Sequence, residues 1–353
     1  MRLGVLDFRM TAKSIPRRGI LAGGNWIIDC VKLIDTWPPQ DALATIIGQS
    51  WGNGGSPYNI LKDLAKLGAS FPLEAAGLVG DDASGRLISD DCRAHRIDTT
   101  QLHVTAVAPT SYTDVMTVKS TGRRTFFHYR GANALLAPEH FDFTRTRARL
   151  FHLGYALLLD ALDAPSPDGA PRLAQVCRQA RVAGLATSLD CVSDNSDRFR
   201  AIVAPVLPHV EVLFVNDYET EKLTGLSLRN DAALERRAIE QAARSLIRLG
   251  VYGWALIHFP EGACACSVSG DVVWQPSVDV PPAGIAGSAG AGDAFAAGVL
   301  YGIHENWPMA RSLKLGVCAA AASLHHPTCS ESVRPVEDCL ALGEQFGFHQ
   351  ALP

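Results

Sequence analysis

The chain has 353 residues, 47% of them hydrophobic and 19% charged, with a formal net charge of −4. That balance excludes a disordered chain and gives no basic footprint for nucleic acid. The length suffices for one large core or two smaller ones. No apolar run reaches membrane-spanning length, so small-molecule chemistry without a membrane or nucleic-acid partner is the expectation. Nine cysteines are scattered with no CxxC pair. Neither a disulfide framework nor a zinc site is predicted, and the thiols fit a reducing cytoplasm.

The opening MRLGVLDFRMTAKSIPRRG (1–19) carries Asp7 among its apolar residues and has no cleavage site, so it is not a signal peptide. Residues 1–18 are expected to be a poorly ordered leader, or an over-long start with Met10 as the initiator. ILAGGNWIIDC (20–30) reads as a strand entering a sheet, and SPYNILKDLAKLG (56–68) as a helix with Pro57 in its first turn. FPLEAAGLVG (71–80) reads as a strand and GRLISDDCRAH (85–95) as a helix. Three segments break this rhythm: DALATIIGQSW (41–51), SYTDVMTVKS (111–120) and RRTFFHYRG (123–131). The last two flank a turn-like TG and predict an antiparallel hairpin. Strands from about 30–50 and 110–131 would lie outside the main sheet as a small lid over its edge.

From residue 150 the alternation is regular. LFHLGYA (150–156) is a predicted strand, and PRLAQVCRQARVAG (171–184) a helix ending at a glycine. LATSLDC (185–191) and VEVLFVN (210–216) are near-continuous apolar runs, as buried parallel strands require. NDAALERRAIEQAARSLIRLG (230–250) predicts a helix capped by Asn230, with Leu234, Ala238, Ala242, Leu246 and Leu249 along one face. YGWALIHF (252–259) is the next strand, and Cys264 and Cys266, two apart, share one face of another. Together these elements predict an α/β domain over 19–345, a doubly wound and mainly parallel sheet with helices on both faces plus a small β lid. Residues 346–353 are left as a C-terminal tail.

The loop AGSAGAGDAFAAG (286–298) carries the strongest chemical signal. A dinucleotide fingerprint fails because its third glycine position is Phe295, and a Walker A loop fails for want of GK[ST]. What remains is a glycine-rich turn feeding a helix, with Phe295, Val299 and Ile303 toward the core. The backbone N–H groups of Gly290, Ala291 and Gly292 would then form an anion site at the helix N-terminus. Asp293 has two readings: a helix cap, or a base that takes a proton from the group attacking a bound phosphate.

GSAGAGDAFAAG resembles the C-terminal signature DTxGAGDxFxxG of the ribokinase-like (PfkB) carbohydrate kinases. The N-terminal half supplies matching segments in order. GNWIIDC (24–30) resembles the first strand with its substrate aspartate, Asp29, and GNGGSPYN (52–59) the Gly-Gly segment, with Gly54, Gly55 and Asn59. AGLVGDDASG (76–85), RGAN (130–133) and NDYE (216–219) resemble the GxVGDDxxG run, the segment after the lid and the NxxE motif. The resemblance implies a ribokinase-like fold with a β lid and transfer of the γ-phosphoryl group of ATP to a hydroxymethyl group of a sugar or sugar-like molecule. It implies Asp293 as base, with Gly290, Ala291 and Gly292 as the anion hole. Asp29, Gly54, Gly55 and Asn59 would hold substrate hydroxyls, and Ser288, Asn216 and Glu219 the nucleotide phosphates. Asn216 and Glu219 would also organise Mg²⁺ through water.

Taken singly, these residues have plainer readings. Asp29 fits a turn, Asn59 and Asn216 fit local caps, and Glu219 fits the helix dipole. The chain also departs from the pattern. Gly287 and Ser288 replace Asp-Thr, which puts activation by a monovalent cation in doubt. HFPEG (258–262) replaces a Thr-x-Gly, with His258 read as a core histidine, while Ser56 and Ile27 replace a frequent lysine and asparagine. A nucleoside kinase is the alternative substrate reading, with Trp26 or Phe127 stacking on a base rather than packing in the core or lid. A non-catalytic sugar- or nucleotide-binding relative is the alternative of another class, favoured by Gly287 and opposed by the intact GAGD. The exposed lid strands suggest a homodimer through the lid.

Overall fold

A computed structural model describes residues 17–231, 233–350 and 352. The proposed leader falls on residues 1–16, which lie outside the described residues, and on Arg17 and Arg18, which are tied down. Arg17 donates to the carbonyls of Thr146, Ala148 and Ala183, and Arg18 N–H to that of Arg147.

In chain order the first half contains β1 (Ile20–Gly24), β2 (Ile27–Ile34), β3 (Ile46–Gly54), α1 (Ser56–Lys66), β4 (Leu73–Gly80), α2 (Ala83–Ala94), β5 (Ile97–Thr105), β6 (Ser111–Val118) and β7 (Arg124–Tyr129). The second half contains β8 (Leu150–Ala156), α3 (Arg172–Val182), β9 (Ala186–Cys191), β10 (Val212–Asn216), α4 (Asp217–Thr224), α5 (Arg236–Arg248), β11 (Trp254–Phe259), β12 (Gly262–Ser267), β13 (Val272–Pro276), α6 (Ala291–His304), α7 (Met309–Ser323) and α8 (Val336–Phe346). A nine-stranded sheet runs β13-β12-β11-β10-β9-β8-β1-β4-β5, parallel except at the β11-β12-β13 edge. One hydrophobic core lies on each of its faces, as a doubly wound sheet requires. The strand order reverses at β1, so a crevice opens at the carboxyl ends of β1 and β8.

Four strands form the separate small sheet, in the order β3-β2-β6-β7. β2 pairs parallel with β6, and β3 and β7 run antiparallel at the edges. Ile27, Asp29 and Val31 alternate toward the crevice, opposite Ser111, Thr113 and Val115, with Arg124, Phe126 and His128 on the same face. The other face carries the row Trp51, Cys30, Asp114, Phe127 and the pair Tyr112–Tyr129. Trp51 is 58% exposed there and Phe127 50%.

Two elements differ from the sequence reading. The strand read as 20–30 is two strands in two sheets, because the chain turns out of the main sheet at Gly24. Asn25 is buried there and its Oδ1 accepts from Tyr155 N–H at 2.6 Å, while Asn133 of the RGAN segment grips the Trp26 backbone through both its amide O and N. The helix read over 230–250 begins only at Arg236. Asn230 pairs with Ala233 in a short hairpin instead of capping it, and the buried stripe is Ile239, Ala242, Ala243 and Leu246. In the GDD segment, Asp82 caps α2 by accepting from Gly85 N–H and also holds the Thr110 backbone before β6. Within the expected tail, Phe348 bridges Val278 and His349 N–H donates to Ser277 O. All nine cysteines are free, and all but Cys30 are buried.

Candidate active site

The crevice holds a cavity of about 510 Å³ between the main sheet and the lid. Asp29, Gly55, Asn59, Asn216, Glu219, Ser288 and the 290–293 turn all line it. Of the residues that the resemblance implies for catalysis, substrate and phosphate, only Gly54 lies outside that lining. It acts by what it lacks, since a Cβ there would sit 2.4 Å from the Asp29 carboxylate. A second cavity of about 460 Å³ continues from the first, sharing Asn216, His258, Ser288, Ala291 and Gly292. Its far wall is apolar, including Val278, Val280, Val317, Ala321 and Leu324.

Asp293 lines the first cavity, directly after Ala291 and Gly292, which both cavities share. Helix α6 begins at Ala291, with Gly290 as its N-cap in the left-handed region at φ 73° and no side-chain cap. A Cβ at Gly290 would also meet Cys329 at 2.5 Å, so only glycine makes this turn. Asp293 is third in the helix and its carboxylate does not cap it. Instead it accepts from Asn59 Nδ2 at 2.8 Å and from the Tyr155 hydroxyl at 2.8 Å on each oxygen. Asn59 is held in turn by Asn53 Nδ2 at 2.7 Å. Of the turn's N–H groups, Ala291 makes only a long 3.4 Å contact with Ser288 O. Burial, and then the nearby Asp190 carboxylate, raise the Asp293 pKa to about 7, against the two hydrogen bonds.

Asp29, at the lid side, is also raised to about 7, chiefly by burial. Cys329 Sγ lies 3.6 Å from its Oδ2. The sequence reading missed three neighbours that complete the site: Tyr155, Asp190 and His152. Ser56 Oγ, in the position of the family's frequent lysine, donates to Asp190 Oδ2 at 2.5 Å and lies 2.9 Å from His152 Nε2. Asp190 Oδ1 is buried without a hydrogen-bond partner, and Asp190 lines the cavity. The missed signal was positional. Tyr155 and Asp190 stand at the carboxyl ends of β8 and β9, where open α/β sheets gather their polar groups.

Asn216 and Glu219 form a reciprocal capping box at the start of α4. Asn216 Oδ1 accepts from Glu219 N–H at 2.8 Å, and Glu219 Oε2 from Asn216 N–H at 3.0 Å. Glu219 Oε1 accepts from Ser193 Oγ at 2.8 Å, and burial raises this carboxyl to about 8. Both carboxylate oxygens are thus engaged, and among the described residues no cluster of three or more His, Cys, Asp or Glu side chains could hold a metal ion. Such a pair suits a hydrated cation met through water, not a directly coordinated one.

His258 departs from its expected place, whereas Trp26 and Phe127 pack in the core and the lid rather than against a ligand. His258 lines both cavities, packs on Phe295 at 5.4 Å, and is lowered to about 4 by burial, so it is a neutral wall of the site and not a core residue. Trp26 is fully buried, stacked on Tyr58 with its Nε1 on Ala76 O, and cannot meet a ligand. Phe127 stacks on Trp37 on the face away from the cavity, whereas Phe126 lines it.

No helix among the described residues is long and apolar enough to cross a membrane. The profile of the pfkB family carbohydrate kinases matches residues 24–336. The ATP-dependent ribose-1-phosphate kinase of Halopiger xanaduensis is 29% identical over 330 residues, covering 93% of this chain and 99% of that one. The 5-dehydro-2-deoxygluconokinase of Geobacillus kaustophilus is 25% identical over 312 residues, covering 83% and 84%. Among solved structures, a ribokinase from Thermotoga maritima superposes with a TM-score of 0.75 at 18% identity, over 93% of this chain and 99% of that one. The Arabidopsis thaliana ribokinase complexed with ribose and ATP gives 0.74 at 21%, over 92% and 98%. A family match over most of the chain, the doubly wound sheet with its separate lid, and a GAGD turn opening on a two-part crevice agree: the chain belongs to the pfkB family of carbohydrate kinases.

Proposed function

We propose that the chain transfers the γ-phosphoryl group of ATP to a hydroxymethyl group of a sugar or sugar-like molecule, with Asp293 as the base. The carrying observation is that Asp293 lines the polar cavity directly after Gly292, which both cavities share, aimed by Asn59 and Tyr155 and not spent as a helix cap. The apolar cavity suits an adenine ring, and the polar one an acceptor whose hydroxyls meet Asp29, the Gly54–Gly55 backbone and Asn59. The acceptor O–H gives its proton to Asp293 as its oxygen bonds to the γ-phosphorus. The bond from that phosphorus to the β–γ bridging oxygen breaks, and ADP leaves. The N–H groups of Gly290, Ala291 and Gly292, with the positive end of α6, face the charge that moves during transfer. Ser288 contributes at the phosphate side. When bound, Mg²⁺ would neutralise phosphate charge, with Asn216 and Glu219 orienting its water shell. Gly287 offers no carboxylate for a monovalent cation, which speaks against activation by one.

The test is a coupled ADP-release assay with Mg-ATP over pentoses, hexoses, sugar phosphates and nucleosides, beginning with the substrates named by the similar enzymes. Turnover on one group, lost by a factor on the order of 10² or more in Asp293→Asn with binding kept within a few-fold, is expected. Silence across the panel, with ligands still raising the melting temperature, would leave a binding protein. A second copy of the chain is proposed to cover the outer face of the lid, whose exposed Trp51, Phe127, Tyr112 and Tyr129 surround the Lys32–Asp114 pair, a mix of the kind that marks interfaces. Sedimentation showing only monomer at micromolar concentration would refute that pairing.

A further inference from the structure

Two donors aim the Asp293 carboxylate, and one of them rests on a side chain outside the cavity lining. Asn59 Nδ2 donates to Asp293 Oδ2 at 2.8 Å. A carboxylate only accepts hydrogen bonds, so Asn59 has to turn its amide N–H toward Asp293 and its carbonyl oxygen away. That oxygen accepts from Asn53 Nδ2 at 2.7 Å, and the same nitrogen donates to Ser330 Oγ at 2.8 Å. The hydrogen bonds therefore run in one direction: Asn53 gives to Asn59, and Asn59 gives to the base.

Asn53 is the next-to-last residue of β3, a strand whose other residues are mostly exposed, yet it is itself only 2% exposed. It faces Ser330 and Asn59 and does not line the cavity. Both uses of its amide are of the nitrogen; its Oδ1 is buried with no hydrogen-bond partner among the described residues. An orphaned buried acceptor costs free energy, so the side chain is retained for its donors. Ser330, fully buried, holds the amide in this orientation. A rotated Asn53 would set oxygen against oxygen at Asn59. Asn59 would then turn its own oxygen to Asp293, which could meet it only as the protonated acid.

We propose that Asn53 is a positioning residue for the base: from the root of the lid it fixes the direction of the Asn59 amide, and so keeps a donor on the carboxylate that takes the acceptor's proton. The inference rests on the kinase reading above and adds no covalent step. Other groups share the field of Asp293. Burial and Asp190 disfavour its charge, while Asn59, Tyr155 and His152 favour it. Asp29 and the Cys329 thiol are also close enough to feel it. Asp63, one turn beyond Asn59 on α1, is fully buried without a hydrogen-bond partner among the described residues. Burial pushes that carboxyl well up, so it stays neutral and adds no charge beside the base.

The test uses Asn53→Leu, which keeps the volume and removes the donor, with Asn53→Ala as a smaller second variant and the melting temperature as the check on folding. The pH profile of kcat is measured by ADP release. The titration of the Asp293 carboxyl carbon is followed by NMR, its signal assigned by its loss in Asp293→Asn. Losing a charge-assisted donor should move the acid-side midpoint up by about one pH unit in both readouts. Turnover would then fall about fivefold at pH 7 and stay within about threefold at pH 9. In an Asn59→Ala background, where the donor is already gone, Asn53→Leu should move the midpoint no further. A midpoint that stays with the parent's in a folded variant would overturn the proposal. So would a loss of turnover equal at every pH, which a merely structural residue would give. Either result leaves the kinase reading standing. A parent that turns over no acceptor and binds no Mg-ATP would overturn the kinase reading, and the carboxyl titration would still decide the role of Asn53.

Discussion

Two helix starts in this molecule place an acid at the same position and put it to opposite use. In α4 the N-cap is Asn216 and the third residue is Glu219; in α6 the N-cap is Gly290 and the third residue is Asp293. Glutamate is long enough to reach back to the cap's N–H, and does so at 3.0 Å, closing the turn on itself. Aspartate is one methylene shorter, and glycine offers no side chain to answer it. Asp293 turns outward to Asn59 and Tyr155, and the α6 terminus stays uncapped by any side chain. One methylene and one missing side chain thus separate a structural helix start from a turn available to an anion.

The largest expected effect comes from making the second turn resemble the first. Asp293→Glu keeps a carboxyl but lets it fold back on the Gly290 N–H. We expect turnover to drop on the order of 10²-fold, comparable to Asp293→Asn in the ADP-release assay. Activity within a few-fold of the parent would show that the turn tolerates the longer acid.

The pH profile sharpens the comparison from the other side. The ionised form of Asp293 is the base, and its pKa is raised to about 7. Turnover should therefore rise with pH through about 7 and level off above, losing about tenfold per unit on the acid side. Asp190 is the second cause of that shift, so Asp190→Asn should move the midpoint to lower pH. A profile flat from pH 5 to 9 would remove Asp293 as the titrating base.

The smallest effect is expected at α4. Glu219→Asp shortens the acid and opens the capping box, which should cost about 1 kcal/mol of stability, read from denaturant midpoints. The same variant should need more Mg²⁺ for half-maximal rate. No change in either would mean that the box is redundant.

The sequence made the main sheet legible because buried parallel strands leave continuous apolar runs, and β8, β9, β10 and β11 were found within a residue or two of their ends. The crossing at Gly24 was not legible. A strand that continues in extended conformation from one sheet to another keeps its apolar pattern, and the break depends on Asn133, more than 100 residues away. The GAGD, NxxE and Gly-Gly segments were readable because backbone geometry demands those residue types at fixed spacing. Tyr155 and Asp190 belong to no local pattern. Each reaches the site only through strand order, which lies outside any short window of sequence.

Alternation along β2 has a practical consequence. Asp29 faces the cavity, so Cys30 faces the opposite way, beside the exposed Trp51. With the other eight thiols buried, the half-buried Cys30 is the thiol most open to a label on the lid's outer face, and burial with the nearby Asp114 raises its pKa, so coupling calls for alkaline pH. A fluorophore coupled there needs no engineered cysteine. It sits apart from the chemistry and would register both the opening of the lid and the arrival of a second copy.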